Sequence, residues 1–158
     1  MLVMSEIGKK IWIATYGTLK KGYNNYVLHL TNSTYIGRGT TQDKYPLIIK
    51  DMPYLIEEVG AGHQIEVDIF TIDQQVLERL DELEDHPNWY RRKEIPINLN
   101  GKIYSCWLYF NITESISDNT LHNSYIQEPG KVYPSTRCSA IPEEEMLQSQ
   151  QGNEQGLG

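Results

Sequence analysis

Between Lys10 and Phe110 the chain breaks into six or seven short apolar runs, and turn residues punctuate nearly every gap. So many short strands with so little helix favour a closed or partly closed β-barrel with helices packed outside. Lys10–Tyr16 reads as the first strand and Lys20–Asn25 as loop. Tyr26–Leu30 reads as a short helix or an irregular return. Ser33–Gly39, bounded by glycines, reads as a second strand, and Tyr45–Lys50 as a third. Asp51-Met52-Pro53 forms a turn before a short strand over Tyr54–Glu58. Gly60-Ala61-Gly62 is a clear break. In Gln64–Thr71, Ile65, Val67, Ile69 and Thr71 alternate with Glu66, Asp68 and Phe70, which predicts a strand with one face in the core. Ile95–Leu99 and Lys102–Phe110 flank Asn100-Gly101, a strong two-residue hairpin signal. The expected fold class is α+β: a small mixed β-barrel of about six or seven strands with flanking helices.

The best helical segment runs from Asp73 to about Leu83, with Asp73 as the expected cap. At about 100° per residue, Ile72, Val76, Leu77, Leu80 and Leu83 share an arc of about 140°, while Glu78 and Glu82 fall opposite. Glu84 lies about 40° from Leu80, inside the apolar arc. If the helix persists to residue 84, its carboxyl points at the core or at a cavity, and burial should raise its pKa. The alternative is that the helix ends at Leu83 and Glu84 turns into water with the acidic run Asp81–Asp85. Pro87 requires the helix to stop nearby.

A chain of 158 residues is one domain with room for a sizeable core. We expect the domain to span residues 9–140, with residues 141–158 as a polar, Gln- and Gly-rich disordered tail. The net charge of −7 argues against a nucleic-acid-binding face and against an anionic membrane surface. No apolar stretch approaches the roughly 20 residues that span a bilayer. Met1–Lys10 holds only a three-residue apolar run, so no secretory signal is expected. Cys106 and Cys138 make no Cys-x-x-Cys, and His29, His63, His86 and His122 are isolated. We therefore expect no metal and no cofactor. A reduced cytoplasmic setting is expected, with a monomer as the working assumption.

Tyr16-Gly17-Thr18-Leu19-Lys20-Lys21-Gly22 follows the first strand directly. A glycine that takes φ > 0 would let consecutive amides converge on an oxyanion or carboxylate. The spacing of a phosphate-binding P-loop is absent. Tyr90, Tyr125 and Tyr133 stand near polar or turn residues, either as hydrogen-bonding rim groups of a pocket or as packed rings with surface hydroxyls.

Four pieces in order resemble the γ-glutamyl cyclotransferase superfamily, and within it the γ-glutamylamine cyclotransferase branch. They are the Tyr16–Gly22 loop, Tyr45-Pro46-Leu47-Ile48-Ile49, and Leu80-Asp81-Glu82-Leu83-Glu84 with Tyr90-x-Arg92 or Tyr90-Arg91. The fourth is the pair Ser124-Tyr125 and Tyr133-Pro134. The resemblance covers most of residues 10–137. It implies a small mixed barrel, amides around Gly17, Thr18 and Leu19 that hold a substrate α-carboxylate, and Glu84 as acid/base. Tyr16, Tyr90 and Tyr125 complete the expected substrate site. The implied partner is a small γ-glutamyl compound whose own α-amine closes on the γ-carbonyl, which needs no catalytic Ser or Cys. The chain departs from the family where Val67-Asp68 stands for Gly-Glu and Asp85 for Gly. Val67 could narrow the cavity, and Asp85 could raise the Glu84 pKa. Two other readings stand beside this one: a cyclotransferase for another γ-glutamyl compound, and a module that binds a small ligand without converting it.

Overall fold

A computed structural model describes residues 10–117 and 119–127 of the chain. The proposed tail at 141–158, Tyr133, Pro134 and Cys138 lie outside the described residues.

Among the described residues, seven strands and two helices follow one another in the order β1 (Ile11–Thr15), α1 (Asn24–His29), β2 (Thr34–Tyr45), β3 (Leu47–Ile49), β4 (Pro53–Leu55), β5 (His63–Ile72), α2 (Gln74–Leu83), β6 (Tyr90–Leu99) and β7 (Lys102–Asn111). Five of the strands close into a barrel in the order β1-β5-β2-β6-β7, and β3 and β4 form a separate two-stranded sheet. The barrel pairings are antiparallel except at the closure, where β1 meets β7 in parallel at Ile13 and Trp107. Asn100 and Gly101 both take positive φ, 53° and 86°, as a hairpin turn between twisted strands requires. The Asn98 side chain accepts the Gly101 N–H at 3.0 Å and fixes that turn.

Two strands are longer than the sequence pattern predicts. β2 runs on through Thr40–Tyr45, because its glycines lie inside the strand and do not end it. A Cβ on Gly39 would sit 2.3 Å from the Asn98 carbonyl oxygen, so glycine is what lets β2 approach β6. β6 begins at Tyr90, not Ile95, since Tyr90–Glu94 pairs residue for residue with Trp107–Asn111. The charges of Arg91, Arg92, Lys93 and Glu94 hide that pairing from any hydrophobic count.

The core has two layers, and this corrects the one-faced reading of β5. Ala14, Ile65, Val67, Ile69, Ile95, Ile97, Cys106, Leu108 and Phe110 alternate along their strands and fill the barrel. The other faces of β1 and β5 contribute Ile13, Phe70 and Ile72 to an outer cluster beneath α2. Leu77, Leu80 and Leu83 of α2 are buried there, each worth about 1.5–3 kcal/mol of transfer free energy. Asp73 caps this helix, its carboxylate accepting the Val76 N–H at 2.9 Å. Tyr16 belongs to the inner cluster, while Leu19, Met52, Tyr90 and Tyr109 belong to the outer one. All five line one pocket, where the two layers meet.

Candidate active site

β1 ends at Thr15, whose hydroxyl donates to the Asp68 carbonyl at 3.2 Å. The chain then turns tightly. The Gly17 carbonyl accepts the Lys20 N–H at 3.0 Å, and the Thr18 carbonyl accepts two amides of α1, from Asn25 at 3.0 Å and Tyr26 at 3.1 Å. Among the described residues, no protein acceptor takes the N–H groups of Gly17, Thr18 or Leu19. All three residues are buried, and uncommitted amides there are available to an anion. The reason for glycine at 17 differs from the expected one. Gly17 does not take positive φ; instead, a Cβ would lie 2.6 Å from Pro53 Cγ, so the loop packs against β4 only without a side chain.

Glu84 combines the two outcomes that the sequence set against each other. The helix does end at Leu83, yet the Glu84 N–H still donates to the Leu80 carbonyl at 2.9 Å, so the residue keeps its place on the apolar arc. The chain leaves the helix one residue later, through Asp85 at φ 50°. The Asp85 N–H donates to the Glu82 carbonyl and the His86 N–H to the Asp81 carbonyl, at 3.1 and 2.9 Å. This is the left-handed helix stop that glycine usually fills and Asp tolerates. The departure at Asp85 is thus a backbone matter. Glu84 is 7 % exposed, and burial raises its pKa from 4.5 to about 8; the neighbouring Asp85 charge has no part in that shift. No hydrogen bond or ion pair from the described residues reaches its carboxyl group.

The pocket between loop and helix is lined by Thr15, Tyr16, Gly17, Thr18, Leu19, Met52, Pro53, Glu84, Tyr90 and Tyr109. It holds about 380 Å³ of empty space, open solvent at the mouth included. Its three tyrosines have committed their protons elsewhere. Tyr16 donates to the Tyr109 carbonyl at 2.7 Å, Tyr90 to the Pro53 carbonyl at 2.8 Å and Tyr109 to Asp81 at 2.6 Å. Burial, with the Glu84 charge adding to it, raises the pKa of Tyr16 well above the ordinary phenol range. Arg92, not Arg91, completes the block around Glu84: it grips Asp81 with two bonds of 2.8 and 3.1 Å and lies 4.6 Å from the centre of the Trp107 ring.

The pocket thus has two walls of opposite hydrogen-bonding sense. The loop amides can only donate. The carboxylate form of Glu84 and the phenol oxygens whose protons are spent can accept. A donor wall facing an acceptor wall suits a group that carries an anion beside an amine.

Behind the loop lies a third set of charges. Lys20 is fully buried and donates to the Glu66 carboxylate at 2.9 Å, to the Tyr125 carbonyl at 2.8 Å and to the Ser124 hydroxyl at 3.4 Å. Asp68 accepts from Arg38 Nε at 2.9 Å, from the Lys21 N–H at 2.8 Å and from the Tyr35 hydroxyl at 3.3 Å. Arg38 and Asp68 are register partners on β2 and β5. Tyr125 sits in this backing set. It does not line the pocket; its ring packs edge-on against Tyr23. Val67 is inside the barrel and does not reach the pocket.

The family's sequence model described as "Gamma-glutamyl cyclotransferase, AIG2-like" matches residues 13–128, from β1 to beyond β7. The chain belongs to this AIG2-like family. Among its relatives, gamma-glutamylaminecyclotransferase A of Danio rerio is 38% identical over 112 residues, covering 64% of this chain and 69% of its own. Gamma-glutamylaminecyclotransferase of Mus musculus is 32% identical over 116 residues, covering 64% and 78%. The crystal structure of an AIG2-like protein from Mus musculus superposes with a TM-score of 0.72 at 30% identity, covering 79% of this chain and 95% of that one. The barrel expected from the strand pattern is therefore the AIG2-like fold.

Within that fold, sequence reasoning missed Thr15, Met52, Pro53 and Tyr109 as pocket residues. Tyr109 had a signal: Cys106, Leu108 and Phe110 alternate into the barrel, which turns Tyr109 toward the helix side. Met52 and Pro53 had none, because a turn does not announce which loop it will cover.

Proposed function

We propose that the chain is a γ-glutamylamine cyclotransferase that converts compounds such as γ-glutamyl-ε-lysine into 5-oxoproline and the free amine. The observation that carries this reading is the two-walled pocket. The unclaimed N–H groups of Gly17, Thr18 and Leu19 match the α-carboxylate of a glutamyl head. Glu84, with the phenol oxygens of Tyr16 and Tyr90, matches the α-amine beside it.

The reaction is an intramolecular acyl transfer. The α-ammonium gives a proton to Glu84, and the freed amine attacks the γ-carbonyl carbon, closing the five-membered lactam. The bond from that carbon to the departing nitrogen then breaks, its electron pair going to that nitrogen, as Glu84 returns the first proton to it. The attacking nitrogen loses its second proton, which the released amine takes up to leave as an ammonium, and the lactam keeps one N–H. An α-amino group at a peptide N-terminus has an ordinary pKa of about 7.7–8.0, and the free carboxylate beside the glutamyl amine raises that value. Glu84, raised to about 8 by burial, lies closer to that range than an ordinary carboxylate does, which lowers the cost of exchanging a proton with the amine. Holding the glutamyl chain folded supplies the proximity advantage of an internal nucleophile.

The reading takes residues 9–140 as the working domain and the protein as a monomer acting in the cytoplasm. The buried free thiol of Cys106 fits a reducing compartment. Among the described residues no helix is long and apolar enough to cross a membrane. A net charge of −7 speaks against nucleic acid as a partner.

Incubation with γ-glutamyl-ε-lysine, a γ-glutamyl amino acid and glutathione, with 5-oxoproline measured over time, tests the proposal. The highest kcat/KM is expected for the γ-glutamylamine. A higher kcat/KM on either other compound would move the activity to that substrate. Ligand binding with no 5-oxoproline from any of them would make the protein a binding module.

A further inference from the structure

Thr18 stands in the middle of the Gly17–Leu19 loop. It is 5 % exposed and lines the pocket wall. Its hydroxyl oxygen accepts a hydrogen bond from Asn25 Nδ2 at 2.7 Å, and Asn25 is fully buried in the first turn of α1. The same asparagine fixes the Thr18 carbonyl through its backbone N–H at 3.0 Å. One residue therefore grips Thr18 at two points. With one lone pair of the hydroxyl taken by the Asn25 amide, the Thr18 proton has to go elsewhere. Among the described residues it meets no protein acceptor.

We infer that Thr18 adds a hydroxyl donor to the loop's carboxylate grip, and that Asn25 is the positioning residue that turns its proton toward the pocket. This rests on the reading of the loop as the carboxylate-binding wall. The physical need is directional. A threonine hydroxyl can donate or accept, and it rotates to suit its neighbours. Facing a carboxylate it is useful only as a donor. A buried amide donor on its other side removes the choice without adding a charge, and it does so before any ligand arrives.

The test is a double-variant cycle on Thr18→Val and Asn25→Leu, read as KM and kcat for γ-glutamyl-ε-lysine and as inhibition by 5-oxoproline, which keeps the carboxylate. Thr18→Val is expected to raise KM and the 5-oxoproline inhibition constant about tenfold, as for a lost hydrogen bond to a charged group. It should leave kcat within about threefold of the parent, since a uniform binding contact is lost and no transition-state contact with it. Asn25→Leu is expected to move KM in the same direction. The pair is expected to be non-additive, with the double variant no worse than Thr18→Val alone. A multiplicative double variant, or an Asn25→Leu protein with parental KM, would overturn the positioning role. Should Asn25→Leu fail to fold, near-isosteric Thr18→Val still decides the donor: parental KM and inhibition there would sink the inference. If the parent protein releases no 5-oxoproline, the failure lies in the proposed function and not in Asn25.

Discussion

Asp68 and Glu84 are both buried carboxyl groups beside the same loop, at 0 % and 7 % exposure. Asp68 is met by Arg38, by the Lys21 amide and by the Tyr35 hydroxyl. Its neighbour Glu66 is met by Lys20 and Ser124. Glu84 is met by no donor among the described residues, only by apolar contacts and phenol rings whose protons are spent. The difference divides the labour of the site. On the side that must hold shape, each buried charge is answered, because an unanswered one costs several kcal/mol. On the side proposed to move a proton, that cost is left standing, and it is what carries the Glu84 pKa to about 8.

The contrast is broken most directly at Glu84. Glu84→Gln removes the proposed proton carrier and little else. Turnover is expected to fall at least ~10²-fold, the low end for loss of a general acid/base. The far-ultraviolet circular dichroism should not change. Near-parental 5-oxoproline release would leave Glu84 a mere buried acid and end the comparison.

The two carboxyl sets should also pull stability in opposite directions with pH. Glu84 has a folded pKa near 8 against an unfolded value near 4.5, so between those values the folded protein binds more protons than the unfolded chain. Its contribution is fully present below pH 4.5 and is lost as pH rises through 8, a change of order a few kcal/mol. Glu66 runs the other way. Burial alone would raise its pKa, but the hydrogen bond and charge of Lys20 hold it below the ordinary value. Its contribution is present above about pH 4.5 and lost as pH falls. Urea unfolding of parent and Glu84→Gln from pH 5 to 9 is expected to give curves that diverge, the parent losing ground until about pH 8. Parallel curves would mean that the burial of Glu84 imposes no such cost.

Gly17→Ala probes the loop itself. The new Cβ would press on Pro53 Cγ from 2.6 Å, so the loop or β4 must shift. Overpacking of this kind costs about 1–3 kcal/mol. KM is expected to rise more than kcat falls, because the role proposed for the loop amides is to bind and not to transfer protons. An unchanged melting temperature and KM would show that the β4 contact does not set the loop.

The pieces that local pattern could read were those whose partners lie within a helical turn or a hairpin. The arc of Leu77, Leu80 and Leu83 already held Glu84, and Asn100-Gly101 already marked the hairpin. The pieces it could not read depend on distant pairing. Arg38 faces Asp68 only because β2 and β5 take one register. Lys20 looks like an exposed loop cation until Glu66, Ser124 and Tyr125 close over it. Gly17 is glycine because of Pro53, 36 positions on, and a turn signal seen in sequence gave the wrong cause for the right residue.

Asp85 offers the smallest and most discriminating change. It adjoins Glu84 in sequence, and on charge alone it should push the Glu84 pKa up. In the structure burial accounts for that shift, and Asp85 occupies the left-handed stop of α2. Asp85→Asn keeps a residue that tolerates this conformation and removes the charge. Stability is expected to stay within about 0.5 kcal/mol. The inflection in kcat/KM against pH should remain near 8, since the apolar walls around Glu84 are untouched. An inflection that moved toward the ordinary carboxylate range would make Glu84 one half of a coupled acidic pair. Its contrast with Asp68 would then be one of like-charge repulsion and not of burial.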